Sequence, residues 1–310
     1  MATERNRAFP VVMPQASIST PALPPRPNKG DLNDLTGTEW IKFTKSWFVA
    51  DSRRYHRNRN TELHPARYPE EMTSPFIEYF TKADGWVFDP FCGSGATLVS
   101  CLETGRHGVG LELSPRYAQI SAGRLTGPGS ERLHVVQGDA RQLCQPTLWE
   151  TVSELPRNEE ELPQFDFVIT SPPYWNMLRN SRGGVESAQK KRAAKGLDTQ
   201  YSENSLDLGN IEDYDEFIEA LGCIFDNCAA LLKPNKYLVC VVQNCRTPER
   251  EVKPLAWDLT RRISKTLSFQ GEKIWCQNSK PLGIWGFPKV FVPNYHHHYC
   301  LIFQKKALSV

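Results

Sequence analysis

No run of about 18 consecutive apolar residues occurs in the 310-residue chain, so a membrane-spanning helix is not expected. The opening Met1-Ala2-Thr3-Glu4-Arg5-Asn6-Arg7 leads into no apolar segment, so no secretory signal is expected either. An excess of one charge is also missing: 37 Lys and Arg stand against 35 Asp and Glu, a net of +2. A polyanionic partner would have to meet local basic surface, not the field of the whole protein. The nine cysteines fall singly at 92, 101, 144, 223, 228, 240, 245, 276 and 300, with no Cys-x-x-Cys pair. An odd, scattered set fits reduced thiols in a cytoplasm and excludes a disulfide framework or a thiolate zinc site.

What is present falls into three stretches. Residues 1–36 carry prolines at 10, 14, 21, 24, 25 and 27 with little apolar periodicity, and read as a flexible Pro-rich arm. Residues 37–63 interleave Trp40, Phe43, Trp47, Phe48 and Tyr55 with Lys42, Lys45, Arg53, Arg54, Arg57 and Arg59, a mixture suited to nucleic-acid contact. Residues 64–310 are regular. Patterning predicts helices at 69–80, after 95, from 115, at 214–232 and at 252–267. It predicts strands at 86–91, 107–111, 133–137, 165–170, 237–242, 272–276 and 299–303. Such alternation implies a doubly wound α/β fold with a mostly parallel, seven-stranded sheet. The last two strands have no helix between them and are expected to form an antiparallel hairpin at the sheet edge. A polar stretch, 177–210, interrupts the alternation.

Three strand ends carry the first motif. Phe88-Asp89-Pro90-Phe91-Cys92-Gly93-Ser94-Gly95 lies where a strand turns into a helix, and glycine there admits a ligand close to backbone. Glu112 ends the next strand, where a carboxylate can accept from both hydroxyls of a ribose. Asp139, in Gly138-Asp139-Ala140, ends the third, placed to accept from the exocyclic amine of a purine. The loop lacks the third glycine of the dinucleotide fingerprint. A nucleoside with a short charged tail suits it better than a pyrophosphate.

The second motif, Ser171-Pro172-Pro173-Tyr174, follows the fourth strand beside the same crevice. Two prolines remove two backbone donors and stiffen the chain. They leave carbonyl acceptors, a hydroxyl and an aromatic face, which suit a planar ring bearing an exocyclic amine. The amine hydrogens would go to Ser171 and to the carbonyl of Pro172.

With Phe91-Cys92-Gly93-Ser94-Gly95 and Ser171-Pro172-Pro173-Tyr174, residues 64–304 resemble the S-adenosylmethionine-dependent DNA amino-methyltransferases. The segment His64-Pro65-Ala66-Arg67-Tyr68-Pro69-Glu70 looks like that family's extra cofactor motif. The resemblance implies a Rossmann-like methyltransferase fold, S-adenosylmethionine as cofactor and double-stranded DNA as partner. It implies cofactor contacts from Tyr68, Asp89, Phe91, Cys92, Gly93, Ser94, Gly95, Glu112, Asp139 and Ala140. Catalytic roles fall on Ser171, Pro172, Pro173 and Tyr174. In that family, serine in the tetrapeptide is associated with the N4 amine of cytosine and aspartate is common for the N6 amine of adenine. The base would be flipped out of the duplex to reach the pocket. Attack at carbon 5 of cytosine needs a cysteine, usually in Pro-Cys, and no Pro-Cys dipeptide occurs. Methylation of N6-adenine, of RNA or of a protein amide stay as alternatives, as does a DNA-binding regulator that has lost catalysis. A cytoplasmic, nucleoid-associated location follows from the resemblance, whereas a companion restriction endonuclease and the oligomeric state stay open.

Three basic runs are candidates for phosphate contact: 42–59, 179–195 and 246–265. The second hangs over the tetrapeptide, and Arg179, Arg182, Lys190, Lys191, Arg192 and Lys195, with Arg53 and Arg54 of the first, are the expected DNA contacts. Consecutive residues of a strand face opposite ways, so His296-His297-His298 is not expected to chelate a metal. Cys92 reads as a loop filler, not a nucleophile.

Overall fold

The computed structural model describes residues 32–51, 68–175, 207–247, 251–280, 282–284 and 286–307. Helix α1 (Gly37–Phe43) is started by Thr36 and Glu39, each accepting from the other's amide. Strand β1 (Trp47–Val49) and helix α2 (Glu70–Phe80) come next. Then follow β2 (Trp86–Asp89), α3 (Ala96–Thr104), β3 (His107–Glu112), α4 (Pro115–Arg124) and β4 (Leu133–Gln137). Left-handed glycines 95 and 105 bracket α3, and Pro115 opens α4 at a position that needs no amide donor. β5 (Phe165–Thr170), α5 (Tyr214–Leu231), β6 (Leu232–Val242), β7 (Cys245–Arg246) and β8 (Val252–Lys253) lead to α6 (Leu255–Ile263), β9 (Ser268–Cys276) and β10 (His297–Gln304).

The main sheet has the order β1-β9-β10-β6-β5-β2-β3-β4. β10 runs antiparallel to both neighbours and every other pair is parallel. The central strands read as unbroken apolar runs because both faces are covered. Phe165, Val168, Leu238 and Cys240 face one core, which contains Trp149 and Phe225. Phe167, Ile169, Val239 and Val241 face the other, built on Met72, Phe76 and Phe80. No helix among the described residues is long and apolar enough to cross a membrane.

Two expectations need correcting. The sheet has eight strands, and the β9–β10 pair is not its edge: β1 lies outside β9, with Trp47 opposite Ile274 and Val49 opposite Cys276. β1 was hidden because three residues are too few to show alternation. Within 37–51, β1 thus joins the sheet and α1 packs beside α2. Phe43 stacks on Tyr79 at 4.0 Å and meets Phe76 edge-on at 5.2 Å. The Lys273 ammonium donates to the carbonyls of Phe43 and Lys45, and the Trp275 indole donates to the Ala50 carbonyl at 2.8 Å. The second correction concerns 252–267: Val252 and Lys253 pair with β7, and the helix begins only after Pro254.

Candidate active site

Strand order reverses at β2: the chain proceeds outward through β3 and β4, then adds β5 on the other side of β2. Such sheets bind ligands in the crevice beyond the carboxyl ends at that point. The glycine loop leaves β2 there and the Ser-Pro-Pro-Tyr segment leaves β5, with Phe88 paired to Val168 beneath them.

Asp89 joins the two. Its Oδ1 accepts from the Thr170 hydroxyl at 2.6 Å and the Phe91 amide at 3.0 Å. Its Oδ2 accepts from the Tyr68 hydroxyl at 2.8 Å and the Thr97 hydroxyl at 2.5 Å. Thr170 precedes Ser171, Phe91 belongs to the glycine loop, Thr97 lies in the first turn of α3 and Tyr68 precedes α2. One carboxylate thus fixes four segments. Burial raises its pKa above the usual carboxylate range, and the four donors oppose that rise. Asp89 was expected among the cofactor contacts, but it stands behind the cavity wall.

Tyr68, Phe91, Cys92, Gly93, Ser94, Glu112, Asp139, Ala140, Ser171 and Pro173 all line one cavity. Gly95, Pro172 and Tyr174 are outside that lining. Gly95 has φ +81°, and a Cβ there would sit 2.2 Å from the Ser121 hydroxyl, so the loop closes onto α4 only with glycine. Arg124 of α4 donates to the Ser94 carbonyl at 2.5 Å and pairs with Glu70. Cys92 is buried with its Sγ 3.5 Å from the Ser121 hydroxyl, and burial pushes its thiol pKa well up, which leaves it unreactive.

Glu112 Oε2 accepts from the Gly93 amide and Oε1 from the Ser114 amide, both at 2.8 Å. Each oxygen keeps acceptor capacity toward the cavity. Burial raises the Glu112 pKa, against the two amide bonds. Asp139 accepts from the Arg141 amide at 3.0 Å and forms an ion pair with the Arg141 guanidinium at 2.9 Å. Ser171 Oγ lies 3.3 Å from the hydroxyl of Tyr174, whose ring is buried with its centroid 6.4 Å from that of His298. His298 is held neutral by burial, its pKa pushed down to about 3.

Asp207 completes the site and was not anticipated. It lines the cavity beside Leu208, and its Oδ1 accepts from the Gly209 amide at 2.9 Å. Its only signal was a cap-like Asp-Leu-Gly-Asn at the end of a polar stretch. Thr97, Thr170 and Arg124 were also missed, because each acts through a partner distant in sequence. Arg53, Arg54, Arg179, Arg182, Lys190, Lys191, Arg192 and Lys195 lie outside the described residues. In the third basic run, Arg262 is buried and donates to Glu219 and Asp226 at 2.8 Å each. His297 and His298 occupy adjacent positions of β10, and among the described residues no three His, Cys, Asp or Glu side chains are grouped to hold a metal.

Among the described residues, then, the cavity presents three carboxylates, Glu112, Asp139 and Asp207, and no Lys, Arg or His. Such a lining suits a cationic nucleoside. A family model described as DNA methylase matches residues 23–123. Over that segment the match supports an S-adenosylmethionine-dependent DNA amino-methyltransferase family. It is similar to the type II methyltransferase M.Cfr9I of Citrobacter freundii, 38% identical over 88 residues that make up 27% of this chain and 29% of that one. M.XycI of Xanthomonas campestris pv. cyanopsidis is 35% identical over 88 residues, with the same two shares. The aligned segment thus spans under a third of these curated relatives. Among solved structures, an S-adenosylmethionine-dependent methyltransferase of Methanosarcina mazei is similar at 14% identity and a TM-score of 0.41, over 75% of this chain and 97% of that one. That likeness is too distant to bear on substrate.

S-adenosylmethionine is the methyl donor of this methyltransferase family, and the cavity fits it. Glu112 has the acceptor oxygens a ribose needs, the acidic lining suits a sulfonium and an ammonium, and the glycine loop admits close backbone approach.

Proposed function

We propose that this methyltransferase acts on DNA, moving a methyl group from S-adenosylmethionine to the exocyclic N4 amine of a cytosine flipped out of the duplex. The observation that carries the reading is that Ser171 and Pro173 line the same acidic cavity as Gly93, Ser94 and Glu112. When bound, S-adenosylmethionine supplies an electrophilic methyl group on a sulfonium.

The chain's own residues hold the nucleophile. The amine lone pair of cytosine is delocalised into the ring and attacks poorly. Ser171 Oγ accepts one amine hydrogen and the Pro172 carbonyl accepts the other, which favours the pyramidal nitrogen that frees the lone pair. The same two oxygens face the positive charge that grows on nitrogen and stabilise it. No covalent enzyme intermediate is required, and positioning supplies much of the acceleration. Cys92, the cavity's cysteine, has a thiol far from ionisation at neutral pH, so it does not supply a nucleophile for carbon 5. Asp89 keeps Thr170, and with it Ser171, in register with the glycine loop.

Radiolabelled methyl transfer to unmethylated bacterial DNA, followed by nucleoside mass spectrometry, tests the reading. N4-methylcytosine is the expected product. N6-methyladenine would move the assignment to the other amine, and absence of transfer to any DNA would overturn it.

A further inference from the structure

The loop joining β9 to β10, residues 277–296, leaves the same end of the sheet as the carboxyl end of β6. β9 ends at Cys276 and β10 starts at His297, and Tyr299 pairs with Val242 at the end of β6. The loop's stems reach the tetrapeptide through rings: His298 is stacked on Trp275 at 4.5 Å and faces Tyr174 at 6.4 Å. The base of the loop is built. Gln277 N donates to the His296 carbonyl at 2.7 Å, and Ser279 N donates to Asp51 at 2.8 Å. The Asn294 side-chain amide accepts from Gly283 N at 2.9 Å and donates to the Gly283 carbonyl at 3.0 Å.

Its tip is apolar and bare. Leu282, Ile284, Phe287 and Phe291 are 80, 86, 80 and 87% exposed. One exposed apolar residue is ordinary, but four on a single anchored loop mark a binding surface. The 20 residues include Lys280 and Lys289, both exposed, and no Asp or Glu. Cations beside an apolar tip complement a polyanion with an apolar interior: lysines meet phosphates, and side chains such as Phe, Leu and Ile enter between base steps. A base that is to reach the cavity must leave its stack, and an inserted side chain offsets part of that unstacking cost.

We infer that the 277–296 loop is the element that opens DNA for this enzyme: its apolar tip enters the base stack at the target and occupies the space the flipped base leaves, while Lys280 and Lys289 hold the flanking phosphates. The role rests on the proposed DNA methyl transfer and assigns a face of the protein to the duplex, whichever amine receives the methyl group.

The test compares wild type with a fourfold variant, Leu282→Ser, Ile284→Ser, Phe287→Ser and Phe291→Ser, on native and heat-denatured samples of the same unmethylated bacterial DNA. All four side chains are solvent-exposed, so thermal unfolding and S-adenosylmethionine affinity should stay at wild-type values. The expected result is a fall of about tenfold or more in initial rate on duplex, with the rate on separated strands within about twofold of wild type. A duplex rate unchanged by the substitutions overturns the role, and so does an equal loss on duplex and single strands. A wild-type dimer that the same substitutions dissolve would instead give the surface to a second copy of the chain. Wild type that methylates neither form of DNA defeats the proposed function itself, a result distinct from these.

Discussion

Ser171 and Glu112 share one cavity but are expected to fail differently. Ser171→Ala removes an acceptor that matters most as charge grows on the amine, so turnover should fall by about a hundredfold. Cofactor affinity, measured by titration calorimetry, should stay within about twofold. Glu112→Gln sets an amide NH2 against the Gly93 or Ser114 amide, both donors, and removes a ribose acceptor. A buried donor left unpaired costs about 1–3 kcal/mol, so S-adenosylmethionine should bind roughly ten- to a hundredfold more weakly. Equal loss of cofactor affinity in both variants would show the division of roles to be wrong. The raised pKa of Glu112 adds a pH dependence. The ionised form is the one that accepts from two ribose hydroxyls, so cofactor affinity should fall on acidification through a midpoint above the ordinary carboxylate range. That transition should vanish in Glu112→Gln. For folding the sign is reversed: a raised acid contributes stability that is full below its unfolded pKa and is lost as pH rises through the folded value.

At the scale of elements, the first described segment braces the sheet. Phe43 packs on Tyr79, Phe76 and Phe80, and the Lys273 ammonium lies 4.3 Å from its ring centre. Phe43→Ala should therefore lower stability by about 2–3 kcal/mol in urea unfolding. Turnover at low temperature should stay at the wild-type level, because Phe43 is not among the residues that line the cavity. The same region shows what the sequence could reveal. Strands β2 to β6 were legible because burial on both faces forces continuous apolar runs, and the glycine loop and tetrapeptide because their chemistry restricts residue choice. β1 was not, since its three residues owe their strand to Lys273 and Trp275, more than 200 positions away. Asp207 and the four-donor role of Asp89 escaped for the same reason: both depend on contacts between segments that only folding brings together. A carboxylate at a strand end looks the same in sequence whether it faces a ligand or the protein interior.

For the whole molecule, a net charge of +2 must coexist with the proposed polyanionic substrate, so the placement of the cations matters more than their number. Arg262 is buried in its ion pairs with Glu219 and Asp226, and Lys265, Arg261 and Lys253 each lie within 4 Å of a carboxylate. Within the 246–265 run, Arg262 is therefore not available to phosphates. On the proposed function, the phosphate contacts are assigned to the 179–195 run, which follows the tetrapeptide, and to the lysines of the 277–296 loop. Each phosphate contact releases condensed counterion and adds about 0.9 to the slope of log affinity against log salt. Replacing Lys190, Lys191 and Arg192 together by glutamine should reduce that slope by about 2–3 if all three meet phosphates. Fluorescence anisotropy of a labelled duplex between about 50 and 200 mM salt reads this directly. An unchanged slope would take the 179–195 run off the DNA and leave the loop between β9 and β10 as the main cationic contact.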